Sequence, residues 1–108
     1  MNTYLSNSNL NELFDEDGFF KQPETWDHDI ACSIANDSGI STLTETHWLV
    51  LESLREQYQH YGTPPMFHHV CHINHLGKHE MEALFHSNRE AWRIAGLPNP
   101  GEEAKAYM

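Results

Sequence analysis

Apolar positions recur along this chain mostly three and four residues apart, the spacing of a helix with one buried face. In "PETWDHDIACSIANDSG", Trp26, Ile30, Ala31, Ile34 and Ala35 follow that rule, predicting a helix from Pro23 or Thr25 to Asp37 with Gly39 as its stop. The stretch "STLTETHWLVLESLREQYQHYG" carries the longest pattern. His47, Trp48, Leu51, Leu54, Tyr58 and Tyr61 share a stripe that Gly62 ends. Thr42 or Thr44 is its N-cap, and Thr42 with Glu45 would make a capping box. A third helix is predicted from Thr63 as N-cap and Pro64 as first residue to a stop at Gly77. Met66, Phe67, Val70, Ile73 and Leu76 supply its buried face. A fourth, Lys78 to His86, turns Met81, Leu84 and Phe85 inward, and a short fifth runs from Arg89 to Ala95. Pro98 and Pro100 then forbid helix, and the remaining residues to Met108 are too polar to build a core. That stretch reads as a stiff C-terminal arm.

A different signal stands before the helices. "FDEDGFF" sets Asp-Gly between aromatic residues and predicts a β-hairpin, with strands near Leu13–Asp15 and Phe19–Lys21. Such a ribbon is marginal alone and must lean on a helix. Residues 1–12, rich in Asn and Ser, read as a loose lead-in with a helical turn near Asn9–Phe14. The expectation is a mainly α chain of about five helices, with a short N-terminal β-hairpin and an arm. It divides as one domain over residues 1–108: lead-in 1–12, hairpin 13–22, helical core 23–95 and arm 96–108.

Composition narrows the function. At 108 residues the chain has enough surface to bury for one core. The net charge is −10, and only six Lys and Arg are present, unclustered. Nucleic acid and anionic membranes are polyanions bound through Lys and Arg, so neither is expected as a partner. No apolar run approaches the roughly 20 residues of a membrane span. The opening "MNTYLSNSNLNELFDEDG" lacks a basic start and an apolar core, so no secretory leader is expected and the location reads as cytoplasmic. Charging all nine histidines would move the net charge from −10 to −1, so the surface changes character near pH 6.

Three groups of residues have chemistry to offer. His68 and His72 stand four apart on the third helix, as do Cys71 and His75, while His72 and His75 stand three apart. Side chains so spaced share a helix face, and two imidazoles there can hold a transition metal. A structural zinc needs four ligands, and no second pair stands at a recognisable spacing. No metal is therefore assigned, and His68, His72 and His75 read as a pH-sensitive polar face. The second helix, a Gly-Thr-Pro turn and the third helix have a helix-turn-helix look. A recognition helix carries Arg, Lys, Asn or Gln, and Met66 to Leu76 holds no Lys or Arg. The thiols, Cys32 and Cys71, read as small buried apolar residues, because a reactive thiolate needs a nearby cation or a helix N-terminus. No phosphate loop, nucleophile elbow or trustworthy Ser/His/Asp order is present. No cofactor is expected, and the chain does not read as an enzyme.

Several fragments, in order, resemble one family. "DEDGFF", "PETW", "IANDSGI", "LTETHWLVL", "LREQY", "GTPP" and "RIAGLPNP" are similar to the DsrC/TusE family of small sulfur-relay proteins, over about Phe14 to Pro100. The family includes the gamma subunit of dissimilatory sulfite reductase. The resemblance implies an orthogonal helical bundle, an N-terminal β-hairpin and a C-terminal arm that can extend. It also implies protein partners in sulfur metabolism, either sulfurtransferases or sulfite-reductase-like enzymes. Family arms carry a persulfide on a cysteine three residues past the second proline of the signature. TusE-type members pass sulfur toward tRNA thiolation, and DsrC-type members add a second cysteine directly before the signature Arg.

In this chain those places hold Glu103 and Trp92. No cysteine follows Cys71, and sulfur transfer needs a thiolate. Where TusE-like chains place Arg and Lys, His68 and His72 stand here. The expected role is a non-catalytic binding or regulatory relative that docks through Arg93, Leu97, Pro98, Pro100, Glu102 and Glu103. The two acidic residues suggest an electropositive receiving cleft. A sulfur relay through Cys71 is one alternative, and a DNA-binding regulator built on the helical core is the other.

Overall fold

The computed structural model describes residues 12–62 and 67–106. Among them are six α-helices: α1 His28–Asp37, α2 Glu45–Tyr61, α3 Phe67–Ile73, α4 Lys78–Phe85, α5 Asn88–Ile94 and α6 Glu102–Ala106. A 3-10 turn at Pro23–Thr25 precedes α1. The first predicted helix is thus two pieces. Trp26 is extended, and Asp27 caps α1 by accepting from the Ile30 N–H at 2.8 Å.

The predicted β-hairpin is not a hairpin of strands. Among the described residues there is no strand, only one antiparallel bridge between Phe14 and Phe20. Pairing stops because Asp15 builds a tight local turn instead. Its Oδ1 accepts from the Asp17 and Phe19 N–H groups, each at 2.9 Å, which is the local competition that Asp offers to ladder bonding. The bend still does what a hairpin would do, because Phe19 and Phe20 are fully buried. Residues 1–11 of the lead-in, and with them the first half of the turn expected near Asn9–Phe14, lie outside the described residues, as do Thr63, Pro64 and Met66.

The cap of α2 is Thr44, not Thr42, and its box partner is His47 rather than Glu45. His47 Nδ1 accepts from the Thr44 N–H at 3.0 Å, and the Thr44 hydroxyl faces the His47 N–H. The far side of the ring meets the Leu84 carbonyl at 2.8 Å, so Nε2 carries the hydrogen and ties α2 to α4. The third helix ends at Ile73, short of Gly77. His75 adopts the left-handed conformation, φ 57°, and Leu76 N–H bonds back to the Cys71 carbonyl at 2.8 Å. That is a Schellman stop with histidine where glycine is usual.

Short α5 is the hub of the bundle, packed against α1, α2 and α4, while α2 also holds α3. Its Ala91, Trp92 and Ile94 are fully buried among Phe19, Ile34, Leu51, Leu54, Val70 and Phe85. Each large side chain removed from water contributes about 1.5–3 kcal/mol. The predicted stripes hold at their centres and fail at their ends: Tyr61 is 65% exposed and Ile73 42%. Val50, off the predicted stripe, is buried. Among the described residues, no helix is long and apolar enough to cross a membrane.

Candidate functional site: the arm and its seat

The arm has a fixed root. At the end of α5, Gly96 takes φ 68°, and the N–H groups of Gly96 and Leu97 bond back to the carbonyls of Arg93 and Trp92 at 3.0 and 3.4 Å. Only glycine fits. A Cβ on Gly96 would sit 2.0 Å from Cδ1 of Trp26, whose indole N–H donates to the Ile94 carbonyl at 2.9 Å. Arg55 completes this seat. It stacks on Trp26 at 4.3 Å and donates to the carbonyls of Ala95 and Pro23 at 2.8 and 2.9 Å. A guanidinium at the carbonyl end of a helix is favourably placed against the dipole. Leu97 is then buried, and Trp92 Nε1 donates to the Pro98 carbonyl at 2.7 Å.

Beyond the root, the arm returns over the Asp15–Gly18 turn. Asn99 Nδ2 donates to Asp17 Oδ2 at 2.8 Å and to Asp15 Oδ2 at 3.4 Å, and its own carbonyl accepts from the Gly101 N–H at 2.9 Å. Gly101 turns the chain with φ 97° and open space around it. In α6, Lys105 Nζ then reaches Asp17 Oδ2 and Glu102 Oε1, both at 2.7 Å. Asp17 is held below the ordinary aspartate range, first by the Lys105 hydrogen bond and then by Asn99. Lys105 is correspondingly raised by Asp17 and then Glu102. From the other side, Arg89 donates to the Asp17 carbonyl and Arg93 Nε to the Gly18 carbonyl at 2.7 Å.

The predicted site residues therefore divide. Arg93 is turned inward: besides Gly18, it pairs with both Glu90 carboxylate oxygens at 3.0 and 3.1 Å and lies over the Phe14 ring. Leu97 is core. Pro98 and Pro100 are half-buried, and Glu102 and Glu103 are exposed. The histidine face is broken by the fold. His72 is exposed on α3, but His75 lies past the helix end, so neither the His72–His75 nor the Cys71–His75 spacing is a helical one. His68 stands in α3 with its side chain outside the described part. Among the described residues, no three His, Cys, Asp or Glu gather as around a metal ion. Cys32 and Cys71 are half-buried rather than buried. Burial pushes both thiols up, with Asp29 adding to the rise at Cys32.

A family model described as "DsrC like protein" matches residues 7–102. This chain belongs to the DsrC family. A "Sulfurtransferase TusE homolog" of Haemophilus influenzae is 31% identical over 97 residues, covering 82% of this chain and 88% of its own. "Sulfurtransferase TusE" of Escherichia coli K12 is 30% identical over 95 residues, with 80% and 86% covered. Among solved structures, the oxidized gamma subunit of dissimilatory sulfite reductase, DsrC, from Archaeoglobus fulgidus superposes with a TM-score of 0.72. It is 33% identical, covering 82% of this chain and 89% of its own. Dissimilatory sulfite reductase I gives a TM-score of 0.75 at 27% identity, with 82% and 86% covered.

Seen as a DsrC arm, the signature "RIAGLPNP" is the fixed root. Its Arg holds the turn, its Gly fits under Trp26, its Leu is core and its first Pro is bonded to Trp92. Sequence reading missed Asn99, Lys105, Arg89 and Arg55, and took Asp17 as turn chemistry alone. One signal was available. Lys105 is the only cation after Arg93, and the "DED" of residues 15–17 is a concentrated acidic run. Nothing in one sequence brings two segments nearly ninety residues apart together.

Proposed function

We infer that this protein is a DsrC-family docking subunit that presents the family's arm without the sulfur-bearing thiol. One observation carries the reading: Glu103, exposed on α6, stands where the resemblance places the carrier cysteine. Loading sulfur requires a thiolate to attack a sulfane sulfur, forming one S–S bond while another breaks and its electron pair leaves with the departing thiolate. A carboxylate does not perform that step. Trp92 occupies the second thiol's place and is spent on Pro98. Cys71 offers a poor substitute, because burial favours its protonated form and a reactive thiolate needs the opposite bias. The helix-turn-helix alternative finds no Lys or Arg on Phe67–Ile73.

The receptor is a protein of sulfur metabolism, a sulfite-reductase core or a sulfurtransferase. Its cleft is electropositive, matching Glu102 and Glu103. Pro98, Pro100, Glu102 and Glu103 make the contact, and Arg93 is a positioning residue that holds the root. Two measurements test this. Intact mass after treatment with a persulfide donor should show no added sulfur on the wild type and one added sulfur on Glu103→Cys. A wild type that loads at Cys71 and passes the sulfur on overturns the reading. Titration against a purified sulfite-reductase core and a purified sulfurtransferase should show binding to one of them. That binding should weaken at least about tenfold without residues 101–108, a loss of about 1.4 kcal/mol.

A further inference from the structure

Where the start of α1 comes over α2, the surface carries an aromatic stack with an acidic rim. The His28 ring lies between two indoles: Trp48 at 4.4 Å, tilted by 37°, and Trp26 edge-on at 5.8 Å. His28 is loosely held. Its side chain is 65% exposed, and its Nε2 stands 4.0 Å from Glu52 Oε1, too far for a hydrogen bond. The indoles are better fixed, Trp26 by its bond to the Ile94 carbonyl and Trp48 by its place against the core. Along α2, Glu45, Trp48, Leu49 and Glu52 follow the i, i+3, i+4, i+7 spacing and share one face. Glu45 and Glu52 are exposed, and Leu49 is 50% exposed. Asp27 and Asp29, exposed as well, flank His28 in the sequence. Little positive charge in this part of the chain answers them. Between Lys21 and Lys78 there is no Lys and a single Arg, Arg55, and Arg55 is turned to the carbonyls of Ala95 and Pro23.

We propose that this face is a docking surface for a cationic partner protein, in which an arginine of the partner stacks on Trp48 in the place His28 fills, with its charge met by Glu52. The chain already makes the same contact once: Arg55 lies over the Trp26 ring at 4.3 Å. A guanidinium is flat, is drawn to indole faces and matches a carboxylate with two N–H groups. Lysine brings the charge without the flat surface. A second copy of this chain is a poor occupant, because at a net charge of −10 two such faces repel. Trp26 joins the surface to the arm's root, since its ring also seats Gly96. A receiver of the arm therefore has this face within reach as a second grip. That consequence rests on the proposed function, whereas the arginine site does not.

The test is a titration of the full chain with a tri-arginine peptide, followed by NMR. The three tryptophans report separately. The Trp48 indole should shift most, Trp26 less, and buried Trp92 not at all. Tri-lysine should bind more weakly, by about twofold or more. Trp48→Leu should lower affinity for tri-arginine about two- to fivefold. Glu52→Gln, on an exposed side chain whose loss leaves the core untouched, should lower it about twofold. His28→Ala should leave binding unchanged or tighten it, because the place on Trp48 is then open. Glu82→Gln, exposed on α4, should change nothing. Shifts confined to Glu102 and Glu103 overturn the proposal, as do equal affinities for the two peptides or a loss of affinity in His28→Ala. Self-association seen by sedimentation and abolished by Trp48→Leu would give the face to a second copy, and overturns it as well. The titration uses no receiver, so its failure leaves the arm's docking to its own measurement, and a failure of that measurement leaves this site standing.

Discussion

At the scale of single residues, the signature resolves into atoms with different duties. Gly96 is required twice over, by its left-handed backbone and by the indole of Trp26 lying where a Cβ would be. Gly96→Ala should therefore cost more than about 2 kcal/mol, above the ordinary glycine-to-alanine effect, as backbone strain and overpacking add. Urea unfolding would measure it. Trp92→Phe keeps an aromatic core residue but removes the donor to Pro98. A loss of about 1–3 kcal/mol is expected, from the lost bond and the vacated volume, with faster exchange at Leu97. The end of this helix was legible from Pro98 and Pro100, which forbid its continuation, but the duty of Gly96 was not. Neither was the Trp26 contact, because it joins residues 70 apart through the fold. Trp92 was singled out in the sequence only as the residue in the second thiol's place, and neither its burial nor its donor role was read there.

At the scale of elements, the core helices were readable, but α6, in the stretch expected to be a non-helical arm, was not, and neither were helix ends. The four predicted helices from Thr42 to Ala95 and the back half of the first are all present, because burial enforces their apolar period. Their ends are decided by local bonds that periodicity does not report. Histidine rather than glutamate closes the cap of α2, and histidine rather than glycine closes α3. The predicted strands stop at one bridge for the same reason, since the Asp15 side chain takes the Phe19 N–H that the next ladder bond would use. His47 provides a direct test of this level. His47→Ala removes a ring that serves both the Thr44 cap and the Leu84 carbonyl. An expected loss of about 1 kcal/mol from the unsatisfied, half-buried Leu84 carbonyl, plus about 1 kcal/mol from the cap, would appear as a lowered thermal midpoint.

At the scale of the whole molecule, the arm's seat has its own pH dependence. Asp17 faces Lys105 and Asn99 from the arm, Arg89 from α5 and Asp15 within its own turn. Because its folded pKa is depressed, its contribution is full above the ordinary aspartate value, about 3.9, and is lost as pH falls through the lowered value. The raised Lys105 sets the other limit: its contribution is full below the ordinary lysine value, about 10.4, and is lost as pH rises through the raised one. Arm chemical shifts in NMR should stay constant through the neutral range and move only at the acid and alkaline limits. A change near pH 6 would point instead to the histidines. The fixed root also sets a depth. Residues 101–106, fully drawn out, span at most about 22 Å at 3.3–3.6 Å each. Under the proposed docking, a receiver of Glu103 would have to bring its entrance down against Pro98 and Pro100, so its rim would be shaped to the flank of this bundle as much as its interior to the tip.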